Sequence, residues 1–147
     1  MSKRFSNKST HFVRKVKFLP IYIPPKHLNI NSQQKLEEFF QKTLSSFFSW
    51  KIITSLENLR QIIITHQCSS ILIHNAISKE KFVELHSFLK NLPVHLNLFL
   101  LTERVSSDEV SYYLHHGING AINFPFKAKD LDLLFHTHIH NCIYEID

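Results

Sequence analysis

At 147 residues, with 44% hydrophobic residues and thirteen phenylalanines, the chain can bury a core, and its composition excludes a disordered protein. No apolar run approaches the length that spans a bilayer, and no secretory apolar segment follows the start. The formal charge of +5 is local: residues 1–17 hold six basic residues and no acid, leaving eleven basic against twelve acidic residues elsewhere. The expected organisation is a basic tail over residues 1–14 and one cytoplasmic domain over 15–147. Cys68 and Cys142 lack metal or redox spacing and read as reduced thiols.

The first strand is expected over Lys15–Ile23, with Val16, Phe18, Leu19, Ile21 and Ile23 apolar and Pro24-Pro25 ending it. Asn31-Ser32 is the expected cap of a first helix, in which Leu36, Phe39, Phe40, Leu44 and Phe47 recur at helical spacing. Trp50–Thr54 follows as a short strand. Ser55 caps a second helix with Leu56, Leu59, Ile62 and Ile63 on one face, although Ile62–Ile64 alone also fits a strand. Ser70–His74 is a buried-type strand, and Ser78 opens a third helix striped by Phe82, Leu85, Phe88, Leu89 and Leu92. Leu96–Leu101 is the most continuous strand signal. Ser106 to Glu109 caps and charges a fourth helix, favourable at the positive end of a helix dipole.

The only two glycines close this pattern, in Gly117-Ile118-Asn119-Gly120-Ala121-Ile122-Asn123-Phe124-Pro125-Phe126. Gly117 falls where a left-handed helix cap is easiest without a Cβ. Gly120 opens a fifth strand over Ala121–Asn123, and Phe124-Pro125 sits in a tight turn suited to a cis bond. A fifth helix begins near Lys127, striped by Leu131, Leu134, Phe135, His138 and Cys142. The expected fold is therefore α/β, a (βα)5 doubly wound parallel sheet of strand order 2-1-3-4-5.

The ten-residue glycine string resembles the last strand of bacterial response-regulator receiver domains, where Gly-x-x-Gly-[aromatic]-[apolar]-x-Lys-Pro-Phe is typical. The resemblance implies a flavodoxin-like scaffold over roughly Lys15–Cys142 and a site at the carboxyl ends of the strands. Such receivers place an acidic pair after strand 1, a phosphoryl-accepting Asp after strand 3, Thr or Ser after strand 4 and Lys after strand 5. The acids hold Mg²⁺, and the lysine and hydroxyl hold phosphoryl oxygens. Here Tyr22 and Ile23 stand in the acidic positions, and His74 or Asn75 stands at the acceptor. Thr102 keeps the hydroxyl, Phe124 replaces the lysine and Ala121 replaces the aromatic switch residue of strand 5. The resemblance thus implies a scaffold without its phosphotransfer chemistry, and with no cofactor.

Among other constellations, His136, His138 and His140 alternate, and His136 with His140 would need His115 or His116 to complete a Zn²⁺ site. No acid or thiolate joins them, so no metal is assigned. Glycine-rich phosphate loops and a Gly-x-Ser-x-Gly elbow are absent from the sequence. In receivers the helix 4–strand 5–helix 5 face commonly self-associates or binds effectors. Tyr112, Tyr113, His115, His116 and Phe135 are its candidate residues here. The leading expectation is a non-enzymatic pseudo-receiver acting through a protein partner, or as a homodimer, in signalling or transcriptional control. The alternative is a flavodoxin-like small-ligand domain or enzyme using the strand-end crevice, against which glycine-poor loops count. A third reading is weak nucleic-acid contact through the basic tail.

Overall fold

Ser70–His74 and Asn97–Thr102 are buried at every position, as central parallel strands covered on both faces must be. They form β3 and β4 of a sheet whose other strands are β1 (Lys17–Tyr22), β2 (Phe48–Ile53) and β5 (Gly120–Asn123). The structure, a computed structural model, describes residues 17–25, 29–45 and 48–136. The expected tail, the loop residues Lys26 and His27, Phe47, His138, His140 and Cys142 lie outside the described residues.

The strand order is β2-β1-β3-β4-β5, with every pairing parallel. Helices α1 (Ile30–Leu44), α2 (Leu56–His66), α3 (Lys79–Lys90) and α4 (Ser107–His115) alternate with the strands, and residues 128–136 form α5. Alternation along each strand divides the core in two. Leu19, Ile21, Leu72, Phe99 and Leu101 meet Leu36, Phe40, Leu44, Leu131 and Phe135 of α1 and α5. Ile71, Ile73, Leu98 and Leu100 meet Leu59, Ile63, Phe82, Leu85, Leu89 and Tyr113 of α2, α3 and α4. A period of two in the strands and 3.6 in the helices is enough to specify both layers.

Four helices share one device at the start. The side chains of Asn29, Ser55, Ser78 and Ser106 accept from the backbone N–H groups of Ser32, Asn58, Lys81 and Glu109, at 2.8 to 3.2 Å. Each satisfies a donor that the helix itself cannot. The first of these corrects the expected cap: Asn29 opens α1, not Asn31-Ser32, because Ile30 and Asn31 already lie within its first turn. Likewise β2 begins at Phe48, two residues before the expected Trp50, and Ile62–Ile64 is helical. Pro20 sits inside β1, a central strand. The ladder to β2 runs the whole strand, whereas that to β3 begins only at Ile21, beyond the proline that has no N–H to donate.

Gly117 is required twice over. Its φ is +114°, a region nearly closed to side chains, and a Cβ there would lie 2.3 Å from Nε2 of His86 on α3. Behind it, Ile118 N–H donates to the Tyr113 carbonyl at 3.1 Å and ends α4. Phe124-Pro125 is cis, as expected from the turn. Gly117→Ala should lower stability by about 2–4 kcal/mol, combining backbone strain with overpacking. Urea denaturation should show a lower midpoint with an unchanged slope.

Candidate functional site

His74 ends β3 inside the sheet, only 1% exposed, so its two ring nitrogens must find partners within the protein. The Ala76 N–H donates to Nδ1 at 2.9 Å, and Nε2 lies 3.0 Å from Oε1 of Glu103. With Nδ1 accepting, the proton sits on Nε2 and is donated to the carboxylate. Asn75 continues the contact. Its Oδ1 accepts from the Glu103 N–H at 2.7 Å, while Nδ2 donates to the Glu103 carbonyl at 3.3 Å. Two successive side chains therefore clasp the first residue after β4 from both sides.

The neighbouring strand ends are tied in the same manner. The Thr102 hydroxyl contacts the Ile122 carbonyl and Oδ1 of Asn123, joining the ends of β4 and β5. Just beyond, Phe124 N–H donates to the Thr102 carbonyl at 2.8 Å. The Phe124 ring packs edge-on against Phe39 of α1, with centroids 4.6 Å apart, and Phe126 meets the same ring at 5.0 Å. At the end of β1, Tyr22 and Ile23 are buried and offer no carboxylate. Glu103 does bring a carboxylate to this end of the sheet, but it is engaged by His74.

Thus the structure gathers Tyr22, Ile23, His74, Asn75, Thr102 and Phe124 at one end of the sheet, as the strand-end rule implies. The partners Glu103, Asn123, Phe39 and Phe126 were not anticipated from the sequence. Glu103 carried a signal, since it directly follows Thr102 at a strand end. Phe39 carried none, because its contact crosses from α1 to the turn after β5.

The expected interface residues do not share one surface. Tyr113 is 3% exposed and donates from its hydroxyl to the Ile77 carbonyl at 2.7 Å, locking α4 to the turn before α3. Phe135 is 7% exposed and packs against Phe99 and Phe48 in the layer of α1 and α5. Helix rotation buries both, so neither is available to a partner. Tyr112 leans toward α3, stacked on His116 with the Lys79 ammonium 4.4 Å over its ring. His115 and His116 are exposed, and the Nδ1 of each lies 2.7 Å from the carbonyl four residues earlier. Between α4 and β5, Val105, Val110, Leu114 and Ala121 line a hollow of about 420 Å³. Among the described residues, no three His, Cys, Asp or Glu side chains group to hold a metal, and no helix is long and apolar enough to cross a membrane.

Asn75→Ala should cost about 1 kcal/mol by leaving the half-buried Glu103 backbone groups short of partners. Hydrogen exchange should register the loss locally, with the Glu103 amide opening faster than those of β4.

No family model matches the sequence, and no curated protein matches it. Solved structures do. The signal receiver domain of a Luxo repressor protein from Vibrio parahaemolyticus is 11% identical at a TM-score of 0.62, over 88% of this chain and 95% of that one. A response regulator from Desulfuromonas acetoxidans is 12% identical at 0.60, over 85% and 97%. The CheY-like protein tadZ from Pseudomonas aeruginosa PAO1 is 14% identical at 0.58, over 82% and 98%. At these identities the likeness is one of fold: the chain has the five-stranded α/β receiver-like architecture.

Proposed function

We propose that the chain is a non-catalytic pseudo-receiver of signal transduction or transcriptional control, working by protein–protein contact without phosphorylation at the strand ends. The observation that carries this reading is Phe124, whose ring packs on Phe39 where a receiver needs a lysine to hold phosphoryl oxygens. Tyr22 and Ile23 add support, since a Mg²⁺ ion needs hard oxygen ligands that neither supplies. His74 and Asn75 are already committed to Glu103. With the switch chemistry absent, docking is constitutive. The surface that fits it best lies along α4 and β5, where Leu114 is 45% exposed beside the hollow at Ala121. In this reading the domain spans residues 15–147 and is cytoplasmic, and the tail over 1–14 adds only weak, salt-sensitive contact with nucleic acid.

Two measurements test the proposal. Acetyl phosphate with Mg²⁺ should add no phosphoryl group to the intact protein by mass spectrometry, and a phosphorylated species at His74 or Asn75 would overturn it. The tagged chain recovered from its native cells in about 0.5 M salt, where exposed charges are screened, should carry a stoichiometric protein partner. Leu114→Asp, a surface change that leaves the core intact, should reduce that partner by about tenfold or more. A chain recovered alone and monomeric would sink the docking reading.

A further inference from the structure

The carboxyl ends of β1 and β3 diverge where the winding of the sheet reverses, because their crossovers leave on opposite sides. Open α/β sheets bind ligands in such a crevice. Here it holds a hollow of about 650 Å³, lined by Tyr22, Pro24, Pro25, Thr54, Leu56, Ala76, Ile77, Ser78 and Lys81. That volume suits a small organic molecule.

Tyr22 is the telling wall. It is 7% exposed, yet among the described residues its hydroxyl has no hydrogen-bond partner. A buried hydroxyl normally has one. Burial also holds the phenol above its usual pKa, so it stays a neutral donor, and nearby Lys81 offsets this only in part. The other polar groups are donors too. Ser78 Oγ accepts from the Lys81 N–H at 3.1 Å, which leaves its hydroxyl hydrogen to give. Thr54, which carries a hydroxyl, and Lys81 also line it, the Lys81 side chain being 67% exposed and able to turn its ammonium to a ligand at the mouth. The N-terminal turn of the twelve-residue α3 adds its positive end. Among the described residues no acid lines the hollow; Glu84, which pairs with Lys81 at 3.3 Å, is not among the lining residues, although its charge reaches the Tyr22 phenol. Pro24, Pro25, Leu56 and Ile77 supply apolar walls, and the Tyr113 hydroxyl fixes the Ile77 turn.

We infer that this hollow binds a small carboxylate with a flat apolar body, its carboxyl group received by Tyr22, Ser78 and Lys81. One cation already shared with Glu84 suits a single negative charge better than a doubly charged phosphate. The inference stands apart from the docking reading, because it concerns the β1–β3 crevice and not the α4–β5 hollow, shares no residue with it and needs no partner.

The test is an NMR titration of the ¹⁵N-labelled full chain with 2-naphthoate to about 5 mM, with 2-naphthalenemethanol as the uncharged control. The expected result is saturable shifts at residues 54–56 and 76–81, with a dissociation constant below about 1 mM. The alcohol should bind about tenfold more weakly, and so should naphthoate to Lys81→Gln. Tyr22→Phe removes only a hydroxyl without a partner, so it should fold as well as the parent while binding naphthoate at least about threefold more weakly. Absent or scattered shifts would overturn the inference, as would equal binding of the alcohol or parent-like binding by Tyr22→Phe.

Discussion

A polar ring buried at the end of a doubly covered strand has no water to fall back on, and His74 is held to that condition. Its two nitrogens are served by the Ala76 N–H and the Glu103 carboxylate. Glu103 is in turn positioned by Asn75 through both of its backbone groups. The sheet end is thereby joined across β3 and β4 by side chains. Losing Glu103 would leave the buried His74 ring short of a partner, so the members of this part-buried network depend on one another.

Around this network, packing stands where a receiver would have charges. The rings of Phe124 and Phe126 both close against Phe39, and Thr102 ties β4 to β5. Phe39, Phe124 and Phe126 thereby carry the hydrophobic layer formed by α1 and α5 over this end of the sheet. The hollow of about 650 Å³ lies to the side of β1 and β3, next to α2 and α3.

The architecture could be read from the sequence because each layer repeats one simple period, and strand alternation with helical stripes fixed every element of the described sheet. Boundaries were harder where the periodic signal was silent. Ile30 and Asn31 belong to α1 but are exposed, so nothing in their pattern announced a helix before Leu36. The candidate site was legible only as a set of positions. That His74 meets Glu103, or that Phe124 seats on Phe39, depends on contacts across the fold that no local spacing encodes. Tyr112 and Tyr113 show the same limit: neighbours in a helix point about 100° apart, and only packing decides which one the core takes.

Among the described residues the sheet ends on one flank at β2, Phe-Ser-Trp-Lys-Ile-Ile, paired along its whole length to β1 and to no other strand. Phe48, Trp50 and Ile52 are half-buried on it, which makes the segment aromatic and β-branched enough to recruit a foreign strand. Lys51 is exposed in the middle of that edge. A charge at that point makes stacking of identical copies costly, since each added strand would bring another ammonium alongside the last. An exposed lysine in the middle of an edge strand is one of the ways a sheet discourages edge-to-edge pairing.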